Sequence, residues 1–377
     1  MHAGPSSWFR PLRLGPCLAL VLVAAACAPV TQAPRVDPEL TKAEAEKQRL
    51  LVVERYIADL RRLNAIAFRI FTANADFCRE KGKSAGAFGF KVGNAYSFPK
   101  DYETGARHAV GDSGLIRIVA VAPDSPAGRA GMHEGDAVLA LNGILAPKGQ
   151  NEAAAKDFGN LLAEQVKTGD PVVFRVRREK EEMEFAPRPV ASCDYGYGID
   201  PKDIVNASAD GKSIQIAKGM MRFVETDEEL ATVVGHELAH NLMGHIDAKQ
   251  GNIALGFIVD ILFVGLGVNT RGIFSDLAGQ SFSQEFETEA DYVGLYLMAR
   301  AGYDIAGAPN FWRRMGVRNP GSIRTNHAAS HPSAPYRFVS LDKTVEEIER
   351  KKTAGLPLRP ELKKTEPVVP TAAPTAN

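Results

Sequence analysis

Apolar side chains recur at three- and four-residue steps over residues 40–78, and the opposite face of this segment is charged. The apolar positions include Leu50, Val53, Ile57, Leu60, Ala67 and Phe71. Such spacing predicts a long amphipathic helix. Because most helical stability comes from packing an apolar face, we expect residues 39–80 to lie against another domain.

The pattern changes over residues 82–189, where short β-like runs are separated by Gly and Asp; these runs are 116–121, 137–141 and 172–176. From Cys193 onward the chain is mainly helical, with one strand candidate at 213–216. The last residues, 353–377, hold five prolines and few large apolar side chains, which predicts disorder. Together these patterns predict an α+β multidomain protein.

Composition limits the possible functions of the 377 residues. The chain is 45% hydrophobic, which suffices for a real core, and its length favours two to three domains. Lys+Arg and Asp+Glu both number 45, so the net charge is zero. Without an excess of basic residues there is little counterion release to drive polyanion binding, and we expect no nucleic-acid partner.

The N-terminus has the layout of a secretory signal, with Arg10 and Arg13 ahead of the short apolar stretch 14–26. The segment that ends at Cys27 resembles a bacterial lipobox, which implies removal of residues 1–26 and lipidation of Cys27. Residues 27–38 would then tether the protein to the envelope membrane. The protein would lie in the periplasm, and the outer membrane is the favoured site of attachment. The alternative is plain secretion.

Cys17 leaves with the predicted signal, and Cys27 would carry the lipid, so Cys78 and Cys193 remain. Two cysteines in an oxidising compartment predict a disulfide. The alternative is a pair of buried free thiols.

Residues 122–132, the Gly135-Asp136 turn and the Asn142-Gly143 turn follow one another in the order seen in PDZ domains, which residues 82–189 therefore resemble. The resemblance implies a β-rich insert that binds peptide C-termini. The carboxylate would be held by the backbone of the loop Phe88, Gly89 and Phe90. A Cys78–Cys193 bridge would join the two ends of this insert. The alternative is a small β domain that only packs.

His236 and His240 stand four residues apart in a helical segment that opens with a capping signature, Thr226 and Glu229. Both imidazoles therefore project from one helix face and can occupy adjacent corners of a zinc tetrahedron. Glu237 leans toward the position of a metal-bound water and can act as the general base. The alternative is a histidine pair satisfied on a helix face.

A third ligand has two candidates. His245 is nearer in sequence, but its spacing directs it away from the metal face, and we interpret it as a surface or outer residue. Glu287 shares a helix face with Asp291, so Glu287 can complete the site while Asp291 accepts the N–H of a liganding histidine. Glu285 and Glu289 should face elsewhere.

Four motifs occur in the order seen in metallopeptidase family 48, which includes HtpX-like, BepA-like and CAAX-prenyl-protease-like gluzincins. They are Asn206-Ala207, the residues 236–240, the residues 287–291 and Ser330-His331-Pro332. Residues 190–352 resemble this family. The resemblance implies a mainly helical zincin-type peptidase domain with a small edge sheet and one Zn²⁺ per chain.

Within that resemblance, His331 would be a loop ligand or a transition-state donor, the alternative being a helix-cap histidine. Arg337 would bind substrate backbone or pair with an acid. The best candidate for an edge strand that pairs with an extended substrate is Ser213, Ile214, Gln215 and Ile216. The apolar residues 253–268 are too short for a bilayer span and predict a core or membrane-facing hairpin.

The expected function is that of a zinc metalloendopeptidase that cleaves unfolded or damaged cell-envelope proteins, with the insert binding substrate or regulating access. The alternative function is a non-catalytic, lipid-anchored PDZ adaptor or chaperone-like scaffold.

Overall fold

The computed structural model describes residue 31 and residues 33–166, 169–265, 284–318 and 335–361. The chain divides into two units, Met1–Lys47 and Gln48–Asn377. The predicted signal peptide, Cys27 and His331 lie outside the described residues. Among the helices that are described, none combines the length and apolar character that crossing a bilayer requires.

The described helices are α1 (Pro38–Ala73), α2 (Ala75–Glu80), α3 (Glu103–Val110), α4 (Pro126–Arg129), α5 (Ala153–Gln165), α6 (Lys218–Phe223), α7 (Asp227–Leu242), α8 (His245–Gly265), α9 (Gln284–Arg300), α10 (Ala308–Arg318) and α11 (Pro335–Thr353). Two 3₁₀ turns, Ala95–Ser97 and Lys100–Tyr102, precede α3.

The described strands are β1 (Ser84–Ala87), β2 (Phe90–Gly93), β3 (Arg117–Val121), β4 (Ala137–Leu141), β5 (Ile144–Leu145), β6 (Phe174–Arg178), β7 (Glu181–Phe185), β8 (Val190–Cys193), β9 (Gly196–Asp200), β10 (Ala207–Ala209) and β11 (Ser213–Ala217). This mixture of helices and sheets confirms the α+β class.

The insert is built on an antiparallel sheet in the order β2-β3-β4-β6-β7, with β5 paired to β4. Phe174 lies in its core, where the rings of Phe88 and Phe90 meet it edge-on at 5.2 and 5.5 Å between centroids. Outside this sheet, β1 and β8 form a separate antiparallel pair from Ser84↔Cys193 to Ala87↔Val190. The insert therefore leaves and rejoins the chain at one place.

A disulfide joins Cys78 to Cys193 at the same place, with 5.2 Å between the Cα atoms. Both cysteines are buried in the core of the helical domain, beside residues of α1 and α7. The bridge closes a sequence separation of 115 residues, which covers the whole insert.

Within the second unit, the part of α1 that follows Lys47 contacts both the insert and the helical domain. Its Val53 packs into a cluster of insert residues, which comprises Ala95, Phe98, Ala106, Val110 and Val119. Further along, Leu63 and Ile70 lie in the main core with the strand residues Ile214 and Ile216. Residues of α1 thus belong to two apolar clusters, one in the insert and one in the main core.

Polar contacts connect the insert to α1 and β9. The Asn64 side chain donates to the carbonyl of Gly89 (3.1 Å) and accepts from the Tyr197 hydroxyl (2.8 Å). The ammonium of Lys91 lies 3.4 Å from the centroid of the Tyr197 ring and donates to the Tyr197 carbonyl (3.1 Å). Burial lowers the pKa of Lys91 to about 8. These hydrogen bonds and the cation–π contact therefore hold the insert against the helical domain.

The small sheet of the helical domain has the order β10-β11-β9, with β10 antiparallel and β9 parallel to β11. Ser213–Ala217 is thus the central strand, and the prediction that Ser213, Ile214, Gln215 and Ile216 form an edge strand is wrong. Strand β9 is difficult to predict from the sequence because Gly196 and Gly198 give it a weak strand pattern. In the described chain, β9 and β10 are the outer strands.

Residues that follow α11 pack on the domain, so the predicted disordered tail begins too early. Arg359 pairs with Glu80 (2.9 Å), and the N–H of Glu361 donates to the Tyr292 hydroxyl (2.9 Å). Ion pairs and a backbone bond can order a short segment that has few large apolar residues. Residues 362–377 lie outside the described residues.

Helices α7 and α9 approach each other at two glycines. A Cβ on Gly235 would lie 2.9 Å from the Gly294 carbonyl oxygen, and a Cβ on Gly294 would lie 3.0 Å from backbone atoms of Gly235 and His236. Backbone atoms cannot rotate away, so only glycine permits this distance between the helices.

Substitution Gly294→Ala should separate α7 from α9, because the added methyl would meet backbone. We expect a loss of about 1–3 kcal/mol in unfolding free energy, together with weaker zinc binding. Gly159→Ala is the matched control: this exposed helical glycine has open space at its Cβ, so the change should be neutral or stabilising by up to about 1 kcal/mol. Equal stability and zinc affinity in both variants would contradict the steric argument.

Candidate metal centre

Helix α7 begins at a cap that fixes its rotation. The Thr226 hydroxyl accepts from the N–H of Glu229 (3.3 Å), and the Glu229 carboxylate accepts from the N–H of Glu225 (2.7 Å). In the predicted capping box, the Glu229 carboxylate would accept from the N–H of Thr226. In the structure it accepts instead from the N–H of Glu225, the preceding residue. Every residue from Leu230 to Leu242 is buried, and His236 and His240 lie within this stretch.

The structure brings together the three residues that the sequence predicted as ligands. Nε2 of His236 lies 3.1 Å from Nε2 of His240. The Glu287 carboxylate completes the group, with Oε1 at 3.3 Å from Nε2 of His240 and Oε2 at 3.6 Å from Nε2 of His236. All three side chains are fully buried, and their ligand atoms lie within 4.8 Å of one another.

These separations fit a zinc ion. Two ligand atoms at about 2.0–2.1 Å from a tetrahedral zinc lie about 3.4 Å apart, close to the observed 3.1–3.6 Å. The donor set of two imidazoles and one carboxylate is one that catalytic zinc sites use, with a further position left for water or substrate. His236, His240 and Glu287 would therefore hold the metal.

Asp291 lies one turn beyond Glu287, and its Oδ1 is 2.9 Å from Nδ1 of His236. This contact fixes the orientation of the ring whose other nitrogen faces the ligand cluster. Burial lowers the pKa of His236, but the carboxylates of Asp291 and Glu287 outweigh that effect and raise it to about 9. The surroundings thus favour a positive charge at this point, as a cation site requires.

Arg337 is the counter-ion of the centre. Its guanidinium donates through Nε and Nη2 to both oxygens of Asp291, at 2.8 and 2.9 Å, and Nη1 lies 2.9 Å from Oε2 of Glu287. Of the two roles that the sequence left open, pairing with acids is the one these contacts display. Burial lowers the pKa of Arg337, but Asp291, Glu287 and Glu237 raise it by more.

Glu237 is buried beside His236 on α7, and its charge acts on Arg337. It therefore lies in the same electrostatic environment as the ligands. Its predicted role as general base remains a proposal.

His245 lies closer to the centre than the sequence suggested. Helix α7 ends at Leu242 with Met243 as its cap, Gly244 adopts a positive φ of 72°, and α8 begins at His245. This turn folds the buried His245 ring back, so that its Nδ1 is 3.0 Å from Nδ1 of His240. In a continuous helix the spacing of His245 would direct it away from the metal, but the turn at Gly244 changes this direction, and a glycine just after a helix end is the sequence signal for such a turn.

The other acidic residues of α9 do not reach the ligand cluster. Glu285 is exposed, whereas Glu289 lies 2.9 Å from Nε2 of His245. Both positions agree with the expectation that these residues face away from the metal. Burial is the largest influence on His245 and lowers its pKa, although Glu289 opposes the change.

The predicted peptide loop lies at a cavity of about 920 Å³ between the insert and the helical domain. Phe88, Gly89 and Phe90 line it, together with Leu162 of α5 and Tyr197 of β9. Gly89 has a φ of 80°, and its added Cβ would lie 2.3 Å from Ser125, so glycine is required there.

The predicted hairpin at 253–268 is partly described. Residues up to Gly265 continue helix α8, and the remainder lies outside the described residues. Leu255, Ile258 and Ile261 are exposed on this helix.

A pair of imidazoles four residues apart on one buried helix, completed by a glutamate from a second helix, is the ligand arrangement of gluzincin-type metallopeptidases. The comparison with known families agrees: residues 177–345 match peptidase family M48. The chain therefore carries a peptidase family M48 domain, and the resemblance seen in the sequence is confirmed.

Curated relatives include metalloendopeptidases. The chain is 31% identical to the mitochondrial metalloendopeptidase OMA1 of Arabidopsis thaliana, over 45% of this chain and 35% of that protein. It is 24% identical to the β-barrel assembly-enhancing protease of Yersinia pestis, over 42% of this chain and 37% of that protein. The chain thus spans little more than a third of the length of these two relatives.

Among solved structures, the PDZ domain of HtrA3 bound to a phage-derived ligand aligns with 29% of this chain and 88% of its own length. The sequence identity is 22% and the TM-score is 0.22.

Replacing Arg337 by Met should destabilise the metal-free protein by about 3–5 kcal/mol, because two buried carboxylates lose their counter-charge. Added zinc should recover part of this loss, since the ion replaces positive charge in the same place. Thermal or denaturant unfolding with and without a chelator measures both effects. Arg313→Met, which removes an exposed pair with Asp342, should cost at most about 1 kcal/mol. Similar losses in the two variants would contradict the assigned role of Arg337.

Proposed function

We propose that this protein is a zinc-dependent metalloendopeptidase that cleaves unfolded or damaged proteins of the cell envelope. The observation that carries the proposal is the buried group of His236, His240 and Glu287. Glu237 lies on α7, the helix of the two histidines, and is also buried. A non-catalytic adaptor or scaffold would not need a complete set of metal ligands with the Glu237 carboxylate beside it.

When bound, zinc would polarise the substrate carbonyl and acidify the attacking water. The Glu237 carboxylate would accept a proton from that water and deliver it to the nitrogen of the leaving amine. The Asp291 carboxylate would hold the His236 ring in place through its contact with Nδ1, and Arg337 would pair with the carboxylates of Asp291 and Glu287.

The substrate would bind as an extended chain along a sheet edge. With β11 paired on both sides, β10 (Ala207–Ala209) is the better candidate, because it packs beside α7, the helix of the histidines. Main-chain pairing at such an edge requires an extended segment and selects weakly among side chains. An unfolded polypeptide meets both conditions.

Location in the envelope is supported by two features. The N-terminal signal pattern and lipobox-like segment favour export and attachment through a lipid on Cys27. The Cys78–Cys193 disulfide is typical of an oxidising compartment. We propose a periplasmic protein that a lipid attaches to the membrane, with the outer membrane favoured.

For the insert we propose a PDZ-like role in binding the C-termini of substrates. The cavity beside Phe88, Gly89 and Phe90 could take an extended peptide between β2, an outer strand of its sheet, and α5. A chain held there while another segment enters the metal centre would bind by two sites, which raises its effective concentration at the second.

Glu237→Gln should retain zinc but lower the turnover of an unfolded substrate such as casein by about 10²–10⁴-fold, because the amide cannot accept the proton. Zinc content by mass spectrometry and chelator-sensitive casein hydrolysis measure the two effects. Glu285→Gln, an exposed change on α9, is the control and should leave both unchanged. Unchanged turnover in Glu237→Gln would exclude the mechanism. Wild-type protein that binds zinc but cleaves nothing would support the adaptor alternative.

The pairing of Ala87 with Val190 allows residues 88–189 to be replaced by a two-residue Asn-Gly turn, which makes β1 and β8 a hairpin. If the insert delivers substrate, KM for an unfolded protein should rise by roughly tenfold or more, whereas kcat for a short peptide should not change. In the full chain, Gly89→Ala should raise KM in the same direction, because it distorts the loop. Faster cleavage without the insert would instead mean that it restricts access.

A further inference from the structure

The ring of His240 has a second partner within the protein. While its Nε2 belongs to the ligand cluster, its Nδ1 lies 3.0 Å from Nδ1 of His245. Nε2 of His245 in turn lies 2.9 Å from Oε2 of Glu289. Three side chains from α7, α8 and α9 thus form a continuous row that ends at the ligand cluster.

Only one arrangement of protons in this row suits metal binding. To offer a lone pair at Nε2, a neutral His240 must carry its proton on Nδ1. Because Nδ1 of His245 is the atom that faces it, that nitrogen must be the acceptor, so His245 carries its own proton on Nε2. The Glu289 carboxylate oxygen, 2.9 Å from that nitrogen, can accept this proton in a hydrogen bond. Each contact therefore determines the next.

The ring of His245 is held where this requires. It is buried and stacks on Phe286, with 4.6 Å between centroids and 16° between planes. Phe286 precedes Glu287 on α9, so one helix supplies the metal-ligating carboxylate, the ring under His245 and the carboxylate that His245 contacts.

We propose that His245 and Glu289 are positioning residues for the metal centre: Glu289 fixes the tautomer of His245, which in turn accepts the Nδ1 proton of His240 and directs its Nε2 lone pair to the metal. The two imidazole ligands are then supported differently. His236 faces the carboxylate of Asp291 directly, whereas His240 reaches a carboxylate only through a second imidazole. This inference rests on the proposed zinc centre.

The test is zinc affinity, measured by competition with a chelator of known strength on the full chain. His245→Phe keeps an aromatic ring on Phe286 but removes the acceptor, and it should weaken zinc binding by about 10–100-fold. His245→Asn can place its amide oxygen near the former Nδ1 and should recover much of the affinity. Glu289→Leu should weaken binding by a smaller factor in the same direction. Glu285→Gln is the control and should bind as the wild type does.

A second measurement distinguishes positioning from a general loss of structure. In the zinc-loaded wild type, the ¹⁵N resonances of His240 should show a protonated Nδ1 and a coordinated Nε2, and this Nδ1 proton should exchange faster with solvent in Glu289→Leu. Denaturant unfolding of the metal-free variants reports stability separately. Should His245→Phe fail to fold, His245→Asn and Glu289→Leu still decide the matter.

The possible failures are distinguishable. Wild-type affinity in both His245→Phe and Glu289→Leu would overturn the positioning role while leaving the zinc centre intact. A wild-type chain that takes up no zinc would overturn the proposed function, and this inference with it.

Discussion

The backbone contact between Gly235 and Gly294 sets the distance between the two helices on which the metal centre is built. His236 directly follows the first glycine. Glu287 and Asp291 precede the second by seven and three residues, a spacing that places all three on one face of α9. The residues that form the contact are therefore in register with those that hold the metal. Larger side chains at the crossing would separate the helices and move the ligands with them.

The charges of the centre point to the ion it suits. Glu237, Glu287 and Asp291 are buried carboxylates, and the buried Arg337 pairs with two of them. Among the described residues, the carboxylates are thus gathered around the two imidazoles, and carboxylates at this distance favour a bound cation. The donor atoms and the neighbouring carboxylates therefore favour the same kind of ion.

Spacing along one helix was enough to predict the central residues. The four-residue steps from His236 to His240 and from Glu287 to Asp291 place each pair on one face whatever the rest of the fold. Contacts set by tertiary structure were less accessible. Arg337 lies 46 residues from Asp291, His245 depends on a turn at Gly244, and the central position of β11 depends on β9, whose glycines hide it.

The insert is attached to the helical domain by more than its two ends. The β1–β8 pair and the Cys78–Cys193 bridge join those ends. Val53 of α1 packs on the insert, Asn64 binds the carbonyl of Gly89, and Tyr197 contacts Lys91 of β2. A module on flexible linkers would present a bound peptide in many orientations. Here Tyr197, which lines the cavity, is a residue of β9, and β9 belongs to the same sheet as β10. A peptide in the cavity would therefore lie in a set orientation to that sheet.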